Sequence, residues 1–351
     1  MVKFQPIYDI AEICAGHGIT QAVVCPGSRC APLTLAFARH SKFTVRTFSD
    51  ERSAAFIGFG IAQQTATPSV LVCTSGSAAY NFSPAVAEAY FQQIPLIVFT
   101  ADRAVEWIDQ HDGQTIHQRA IYGTHVKKSF ELPTLDGNPD TAWHINRIVN
   151  EAIQLSKQFP CGPVHINAPF REPLYPAKGE EITYSKYPRM IETQTLTASL
   201  DEKDVHQLKK RLSSFNKVLV VSGQNDYDEM LVRALDKFSK HHKVSVVGDI
   251  ISNLHSSAQT IRHVDVFLGQ CGDDIKKSLR PELLITFGKS VISKNLKLFL
   301  RHYKAIEHWH IQPGGEVADT FQSITRNIST IPSLFFESLS IATKKTDFET
   351  Q

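Results

Sequence analysis

The sequence lacks the features of several special protein classes. None of its six cysteines, at positions 14, 25, 30, 73, 161 and 271, forms a Cys-x-x-Cys pair, so we expect reduced, buried thiols. No apolar run approaches the ~20 residues that span a bilayer, and the first residues show no signal-peptide pattern. The formal net charge is only +2 over 351 residues, which gives no indication of nucleic-acid binding. We therefore expect a soluble, cytoplasmic protein without a membrane span.

Common catalytic motifs are also missing. The chain contains no GxSxG, P-loop or HExxH pattern, and its second half has no GxGxxG. His308 and His310, in "HWH", fall on the same side of a probable strand. Two histidines without a third ligand are a weak metal signal. We therefore assign no metal ligand from this chain.

Short apolar segments alternate with amphipathic ones through the first half. This alternation predicts a parallel sheet covered on both faces over residues 1–172. A proline-rich, charged segment at 173–198 is predicted to be a linker. The predicted strands are 21–25, 43–48, 68–74, 95–101 and 163–167, and the predicted helices are 5–18, 31–40, 50–64, 77–93 and 140–158.

A second pattern of the same kind occupies residues 199–340. It predicts an open, Rossmann-like sheet, so the fold class is α/β with two open parallel-sheet domains. The polar tail, 341–351, is expected to be loose. Strands are predicted at 217–224, 243–250, 264–269, 282–288 and 305–311, with helices ending near 215 and spanning 229–242.

Four polar loops follow strands of the first predicted sheet. Ligands of open α/β sheets bind at the carboxyl ends of the strands, which share one edge. We therefore expect these loops to form one site. They are "PGSR" (26–29), "SDER" (49–52), "TSGS" (74–77) and "ADRA" (101–104).

The first two loops carry residues with plausible chemistry. Gly27 permits a tight turn, Ser28 can form a hydrogen bond, and Arg29 offers a fork that matches a carboxylate or phosphate. The alternative is an ordinary strand-to-helix turn with an exposed arginine. Glu51 is a candidate acid, but acids also suit the first turn of a helix, which Asp50 would cap.

The later segments are more ambiguous. Arg103 ends a predicted strand, where a surface ion pair is the alternative. Gln114 and Gln118 lie on a polar segment that could close over a site, although such glutamines usually face solvent. His117, between them, is more simply a structural histidine. The glycine turn at 74–77 could equally be an ordinary connection.

The loop motifs resemble a known family. "CPGSR", "SDERSAAFIGFGIA", "CTSGSAAYNFSPAVAEA" and "PLIVFTADR" occur in the order and spacing of the pyrimidine-binding (PYR) domain of thiamine-diphosphate enzymes. "PGSR", "TADR" and "HINAPFREPLY" narrow the resemblance to the synthases of the menaquinone pathway. The resemblance is dense to about residue 175 and thinner to about residue 330.

This resemblance implies roles for particular residues. Glu51 corresponds to the glutamate that hydrogen-bonds the aminopyrimidine ring and favours its imino tautomer, for which a raised pKa would be suitable. The residues implied to bind substrate are Ser28, Arg29, Arg103, Gln114 and Lys294. Those implied to contact the cofactor are Pro26, Gly27, Glu51, Thr74, Gly76 and Asn81.

The resemblance also implies the reaction. Such a transferase uses thiamine diphosphate with Mg²⁺ or Mn²⁺, decarboxylates 2-oxoglutarate and adds the succinyl carbanion equivalent to isochorismate. Both substrates are dicarboxylates, which arginines at strand ends would bind. Family members are homo-oligomers, in which the PYR domain of one subunit faces the diphosphate-binding domain of another.

Two departures from the family pattern stand out. The chain has Lys294-Asn295 where the family tends to have Lys-Arg. Gly248-Asp249 lacks a suitable Asn partner and is predicted to be a strand-end turn, so we expect the C-terminal diphosphate domain to be absent from this chain. Three alternatives stay open: the N-terminal two-thirds of the synthase, inactive alone; a non-catalytic module; and half of a split enzyme that needs a separate diphosphate-binding partner.

Overall fold

The computed structural model describes residues 4–194 and 199–340. The chain divides into two compact units, Met1–Gln194 and Thr195–Gln351. Each unit contains one six-stranded sheet in which all described strand pairs are parallel. The predicted α/β fold class is confirmed. Within the described ranges, no helix has the length and apolar character needed to cross a membrane.

The first unit is built on a sheet with the strand order β2-β1-β3-β4-β6-β5. Its strands are β1 (Gln21–Val24), β2 (Thr44–Thr47), β3 (Ser69–Cys73), β4 (Leu96–Arg103), β5 (Ser129–Glu131) and β6 (Val164–Phe170). Its helices are α1 (Gln5–Gly16), α2 (Ala31–Ala38), α3 (Glu51–Thr65), α4 (Ser77–Asn81), α5 (Ser83–Gln92) and α6 (Pro139–Lys157). The short strand β5 was not predicted.

Both faces of this sheet are covered, as the apolar strand segments predict. Alternate residues of a strand point to opposite faces. Ala22 and Val24 accordingly join a buried cluster with α1, α2 and α6, whereas Val23 joins a second cluster with α3, α4 and α5. Burial on both faces explains why β1, β3 and β4 are almost continuously apolar.

The helices that follow the loops begin where the sequence provides a start signal. Asp50 caps α3, because its Oδ1 accepts a hydrogen bond from the Ser53 amide at 2.7 Å, as predicted. The helix predicted over 77–93 is instead two helices that meet at Phe82. Pro84 lacks the N–H that a continuous helix would donate one turn back, which accounts for the break.

The segment predicted as a linker contains no helix or strand from residue 171 to 194, yet it packs on the first unit. The Tyr184 hydroxyl donates to the Ala36 carbonyl at 2.7 Å, and the Ser185 hydroxyl donates to Asp9 at 2.6 Å. The Ile191 amide donates to Asn150 at 2.9 Å. The remaining linker residues, 195–198, lie outside the described part of the chain.

The second unit has the strand order β12-β11-β10-β7-β8-β9. Its strands are β7 (Val218–Ser222), β8 (Ser245–Gly248), β9 (Thr260–Ile261), β10 (Leu283–Phe287), β11 (Glu307–Ile311) and β12 (Arg326–Ile328). Its helices are α7 (Glu202–Leu212), α8 (Glu229–His242), α9 (Val264–Gln270), α10 (Asp273–Ser278), α11 (Lys294–His302) and α12 (Pro332–Ser340). The predicted tail, 341–351, lies outside the described residues.

One predicted strand of the second unit is wrong. The segment 264–269 forms helix α9, not a strand. Val264 and Leu268, four residues apart, are buried, while Val266 is 60% exposed. A strand would have buried Val264 and Val266 together, so the burial follows the helical period. The short apolar segment did not distinguish the two possibilities.

Candidate functional site

The predicted loops lie at one edge of the first sheet. β1, β3 and β4 are parallel neighbours, so their carboxyl ends lie side by side. The loop after β1 also contacts the loop after β3. A Cβ added to Gly27 would lie 2.5 Å from the Thr74 Cβ, so only glycine permits this approach.

Arg29 is buried, with 9% of its surface exposed, which makes the alternative of an exposed turn arginine wrong. Its Nη1 donates to the Phe170 carbonyl at 3.0 Å, and its Nη2 lies 3.6 Å from the exposed carboxylate of Glu172. Its Nε is buried and has no hydrogen-bond partner among the described residues. Burial first, and then the nearby charge of Arg103, lower the pKa of Arg29. A ligand carboxylate would satisfy this desolvated cation.

Arg103, at the end of β4, is the second cation of the edge. Its side chain is 14% exposed, and its Nε lies 2.6 Å from Asp112 Oδ2. Its Nη2 donates to the Gly113 carbonyl at 2.6 Å. The ion pair that sequence analysis offered as an alternative is therefore present, but the guanidinium is largely buried. Arg29 and Arg103 place two positive charges near each other.

Glu51 occupies the first turn of α3, at the same edge. The pKa of the Cys25 thiol is raised to about 12, first by burial and then by the negative charge of Glu51. The Glu51 carboxylate therefore lies near Cys25, at the end of β1. No hydrogen bond or ion pair to this carboxylate occurs within residues 4–194 or 199–340. The carboxylate is therefore available to a ligand.

The turn after β3 has a conformation that requires glycine. Gly76 has φ 84° and ψ −147°, and its amide donates to Gln118 Oε1 at 2.7 Å. Ser75 is 1% exposed, and its Oγ is buried without a hydrogen-bond partner in the described structure. Gln118 is fully buried, so the alternative that it faces solvent is wrong. His117 is exposed and pairs with Asp109 at 2.9 Å.

A buried polar network lies behind these loops, and sequence reasoning missed it. The Asn167 amide donates to Asp102 Oδ2 at 2.9 Å, and the Thr100 hydroxyl donates to Asn167 Oδ1 at 2.9 Å. Thr100 Oγ1 also lies 2.8 Å from His165 Nε2. Burial raises the pKa of Asp102 and lowers that of His165 to about 3. The polar residues in the otherwise apolar segments "FTAD" and "VHIN" were the available signal.

An open groove adjoins the first loop. It is lined by Pro26, Gly27 and Ser28, by the first turns of α2, and by Tyr175, which is 57% exposed. Pro26 and Ser28 are exposed, so their atoms are accessible from this groove.

The remaining predicted site residues have different local environments. Gln114 is exposed, with φ 54°, although its backbone packs against Gly76. The amide of Asn81, in α4, bonds back to the Ser77 carbonyl at 3.2 Å. Lys294 is exposed and begins α11, in the second unit. Asn295 binds Asp265, its Nδ2 lying 3.2 Å from Oδ2, so it has a structural contact of its own.

Two other predictions concern the second unit. Gly248 ends β8, and Asp249 immediately precedes a short 3-10 helix, Ile250–Ser252, which confirms the predicted strand-end turn. His308 and His310 both lie 2.8 Å from the Thr286 hydroxyl. Across the described ranges, no group of three or more His, Cys, Asp or Glu side chains could hold a metal ion.

Comparison with known proteins finds a similar family for part of the first unit. Residues 8–121 match the family model described as "Thiamine pyrophosphate enzyme, N-terminal TPP binding domain". The matched range contains all four loops, so this part of the chain is similar to the N-terminal domain of thiamine pyrophosphate enzymes.

Particular relatives are similar along nearly the whole chain. A 2-succinyl-5-enolpyruvyl-6-hydroxy-3-cyclohexene-1-carboxylate synthase of Cytophaga hutchinsonii is 45% identical over 338 residues, covering 96% of this chain and 59% of the relative. Synthases of the same name from Flavobacterium johnsoniae and Bacteroides fragilis are 40% and 36% identical, and 59% of each is covered. The chain thus spans about 59% of the length of these relatives. The resemblance predicted from the loop motifs is confirmed.

The residues of the edge fit the pyrimidine end of thiamine diphosphate. The backbone at Gly27 lies so close to Thr74, and that at Gly76 so close to Gln114, that a Cβ at either glycine would crowd its neighbour. Glu51 presents a carboxylate without a protein partner in the described ranges, and Ser75 presents a buried, unsatisfied hydroxyl. A polar heterocycle could satisfy both groups.

Proposed function

We propose that the chain provides the PYR and central domains of a cytoplasmic, thiamine-diphosphate-dependent transferase of menaquinone biosynthesis. In this proposal the enzyme decarboxylates 2-oxoglutarate and adds the succinyl carbanion equivalent to isochorismate. The main support is the position of Glu51, whose carboxylate lacks a protein partner in the described structure, at the same sheet edge as two largely buried arginines.

Glu51 has a defined task in this proposal. Its carboxyl group hydrogen-bonds a pyrimidine ring nitrogen and thereby favours the imino tautomer of the neighbouring amino group. Thiamine diphosphate, when bound, supplies the electron sink for decarboxylation. The position at the start of α3 is set by the Asp50 cap, which fixes where the helix begins.

Arg29 and Arg103 would hold substrate carboxylates. Each guanidinium is already desolvated, so binding an anion costs little further loss of hydration. Asp112 and Glu172 neutralise part of this charge in the absence of substrate. We propose Ser28, Gln114 and Lys294 as further substrate contacts, and Pro26, Gly27, Thr74, Gly76 and Asn81 as cofactor contacts.

We propose that a diphosphate-binding domain holds the other end of the cofactor with Mg²⁺ or Mn²⁺. We also propose homo-oligomerisation through the PYR unit. The support is a set of exposed aromatic side chains on α3, α4 and α5: Phe56 is 42% exposed, Tyr80 56% and Phe91 72%. Such side chains are enriched at interfaces. Sedimentation should show a dimer or higher species, and a monomer at micromolar concentration would contradict this part.

Calorimetric titration with thiamine diphosphate and Mg²⁺ tests the proposed function. The chain is titrated alone and together with a supplied diphosphate-binding domain from a relative. We expect tight binding and release of CO₂ from 2-oxoglutarate only when both pieces are present. Absence of binding and turnover with every supplied domain would favour a non-catalytic module.

A further inference from the structure

Gln118 is fully buried, and its side-chain amide makes three hydrogen bonds. Its Oε1 accepts the Gly76 amide at 2.7 Å. Its Nε2 donates to the Ala101 carbonyl at 3.0 Å and to Asn167 Oδ1 at 3.1 Å. Both N–H groups of the side-chain amide and its oxygen therefore have hydrogen-bond partners.

These three partners belong to different parts of the site. Gly76 is in the turn after β3, Ala101 lies two residues before Arg103 on β4, and Asn167 on β6 binds Asp102. Gln118 therefore connects the ends of three strands. All three hydrogen bonds are to protein atoms.

The segment that carries Gln118 is attached at its other end as well. The Gly113 carbonyl accepts a hydrogen bond from Arg103 Nη2 at 2.6 Å. Between these two attachments lies Gln114, whose carbonyl oxygen is 3.1 Å from the position of a Cβ on Gly76. The segment 113–118 thus holds Gln114 against the glycine turn.

We propose that Gln118 is a positioning residue of the cofactor site: it holds the glycine turn and Gln114 in register with Arg103. This inference rests on the proposed function. Gln118 acts through Gly76 and Gln114 and does not touch the cofactor. This role requires both the amide oxygen, which accepts a hydrogen bond, and the amide nitrogen, which donates two. A glutamate at this position would lose both donors and face two acceptor oxygens, and a methionine would fill the volume without any hydrogen bond.

The test compares Gln118→Met and Gln118→Glu with Ser156→Ala. Ser156 is a fitting control because it is also fully buried, its hydroxyl donates to the Ile153 carbonyl at 2.8 Å, and it lies before the start of β6, at the opposite edge of the sheet. Hydrogen exchange is followed by mass spectrometry in peptides that contain Gly76 and Gln114. Affinity for thiamine diphosphate with Mg²⁺ is measured by calorimetry, with the diphosphate-binding domain supplied.

We expect both Gln118 variants to exchange about tenfold faster in these two peptides and to bind the cofactor about tenfold more weakly, while peptides of β1 and β2 are unchanged. Ser156→Ala should change neither quantity. Unchanged exchange at Gly76, or equal effects of Ser156→Ala, would overturn the inference. A wild-type chain that never binds thiamine diphosphate would contradict the proposed function, whereas the exchange measurement would still decide whether Gln118 holds the turn.

Discussion

Replacing Gly76 with alanine should destabilise the first unit and disturb the proposed cofactor site. The backbone there has φ 84° and ψ −147°, a region that is essentially restricted to glycine. The new Cβ would also lie 3.1 Å from the Gln114 carbonyl oxygen, closer than ordinary van der Waals contact. Strain of this kind costs about 1–3 kcal/mol. For a unit of this size, a loss of about 2 kcal/mol lowers Tm by roughly 4–8 °C.

Two other glycines separate the sources of this effect. Gly18 has φ 80° but no atom within 4 Å of an added Cβ, so Gly18→Ala isolates the backbone strain, about 1–2 kcal/mol. Gly60, inside α3, has neither a left-handed φ nor a close neighbour, so Gly60→Ala should stabilise by about 0.5–1 kcal/mol. In scanning calorimetry, Tm should be highest for Gly60→Ala, lower for Gly18→Ala and lowest for Gly76→Ala. A Gly76→Ala protein that melts with Gly60→Ala would refute the reasoning.

Three further predictions test other parts of the structure. Burial lowers the pKa of His165 to about 3, so as the pH falls the unfolded chain takes up a proton first and the free energy of unfolding decreases between pH 6.5 and 3. In urea titrations at several pH values, His165→Phe should make the free energy of unfolding less dependent on pH, and an unchanged pH dependence would contradict this reasoning. Arg29→Lys keeps the charge but loses the planar fork, so the KM for 2-oxoglutarate in the complete enzyme should rise about tenfold, and an unchanged KM would count against the assigned contact. Thr286→Val removes the hydroxyl that His308 and His310 share, so chemical unfolding should show a free energy of unfolding of the second unit lower by about 1–3 kcal/mol. Cofactor affinity should not change, and equal stability of the variant and the wild type would show that the hydroxyl is dispensable.

The sequence predicted that the four polar loops share one edge of the first sheet, because apolar strands and polar loop residues leave local patterns. It also predicted the Asp50 cap, since a capping residue and its helix are adjacent in the chain. The wrong strand at 264–269 and the break at Phe82 show where short apolar segments leave helix and strand undecided, or where one proline divides a helix.

The supporting contacts of the site could not be predicted in the same way. The side-chain amide of Gln118 is hydrogen-bonded to Gly76, which is 42 residues away in the sequence, and to Asn167, which is 49 residues away. Such long-range hydrogen bonds depend on how the strands are ordered and leave no periodicity in the sequence. The burial of Arg29 likewise depends on the Phe170 carbonyl, which β6 brings from 141 residues away.

The most direct test of the account is Glu51→Gln in the chain supplied with a diphosphate-binding domain. The substitution keeps the size of the side chain and removes the carboxylic group that would favour the imino tautomer. We predict that CO₂ release from 2-oxoglutarate falls at least about a hundredfold, the scale of general acid–base assistance, while Tm is unchanged because Glu51 makes no hydrogen bond or ion pair within the described structure. A near-normal rate of CO₂ release by Glu51→Gln would contradict the assignment of this edge as the pyrimidine site.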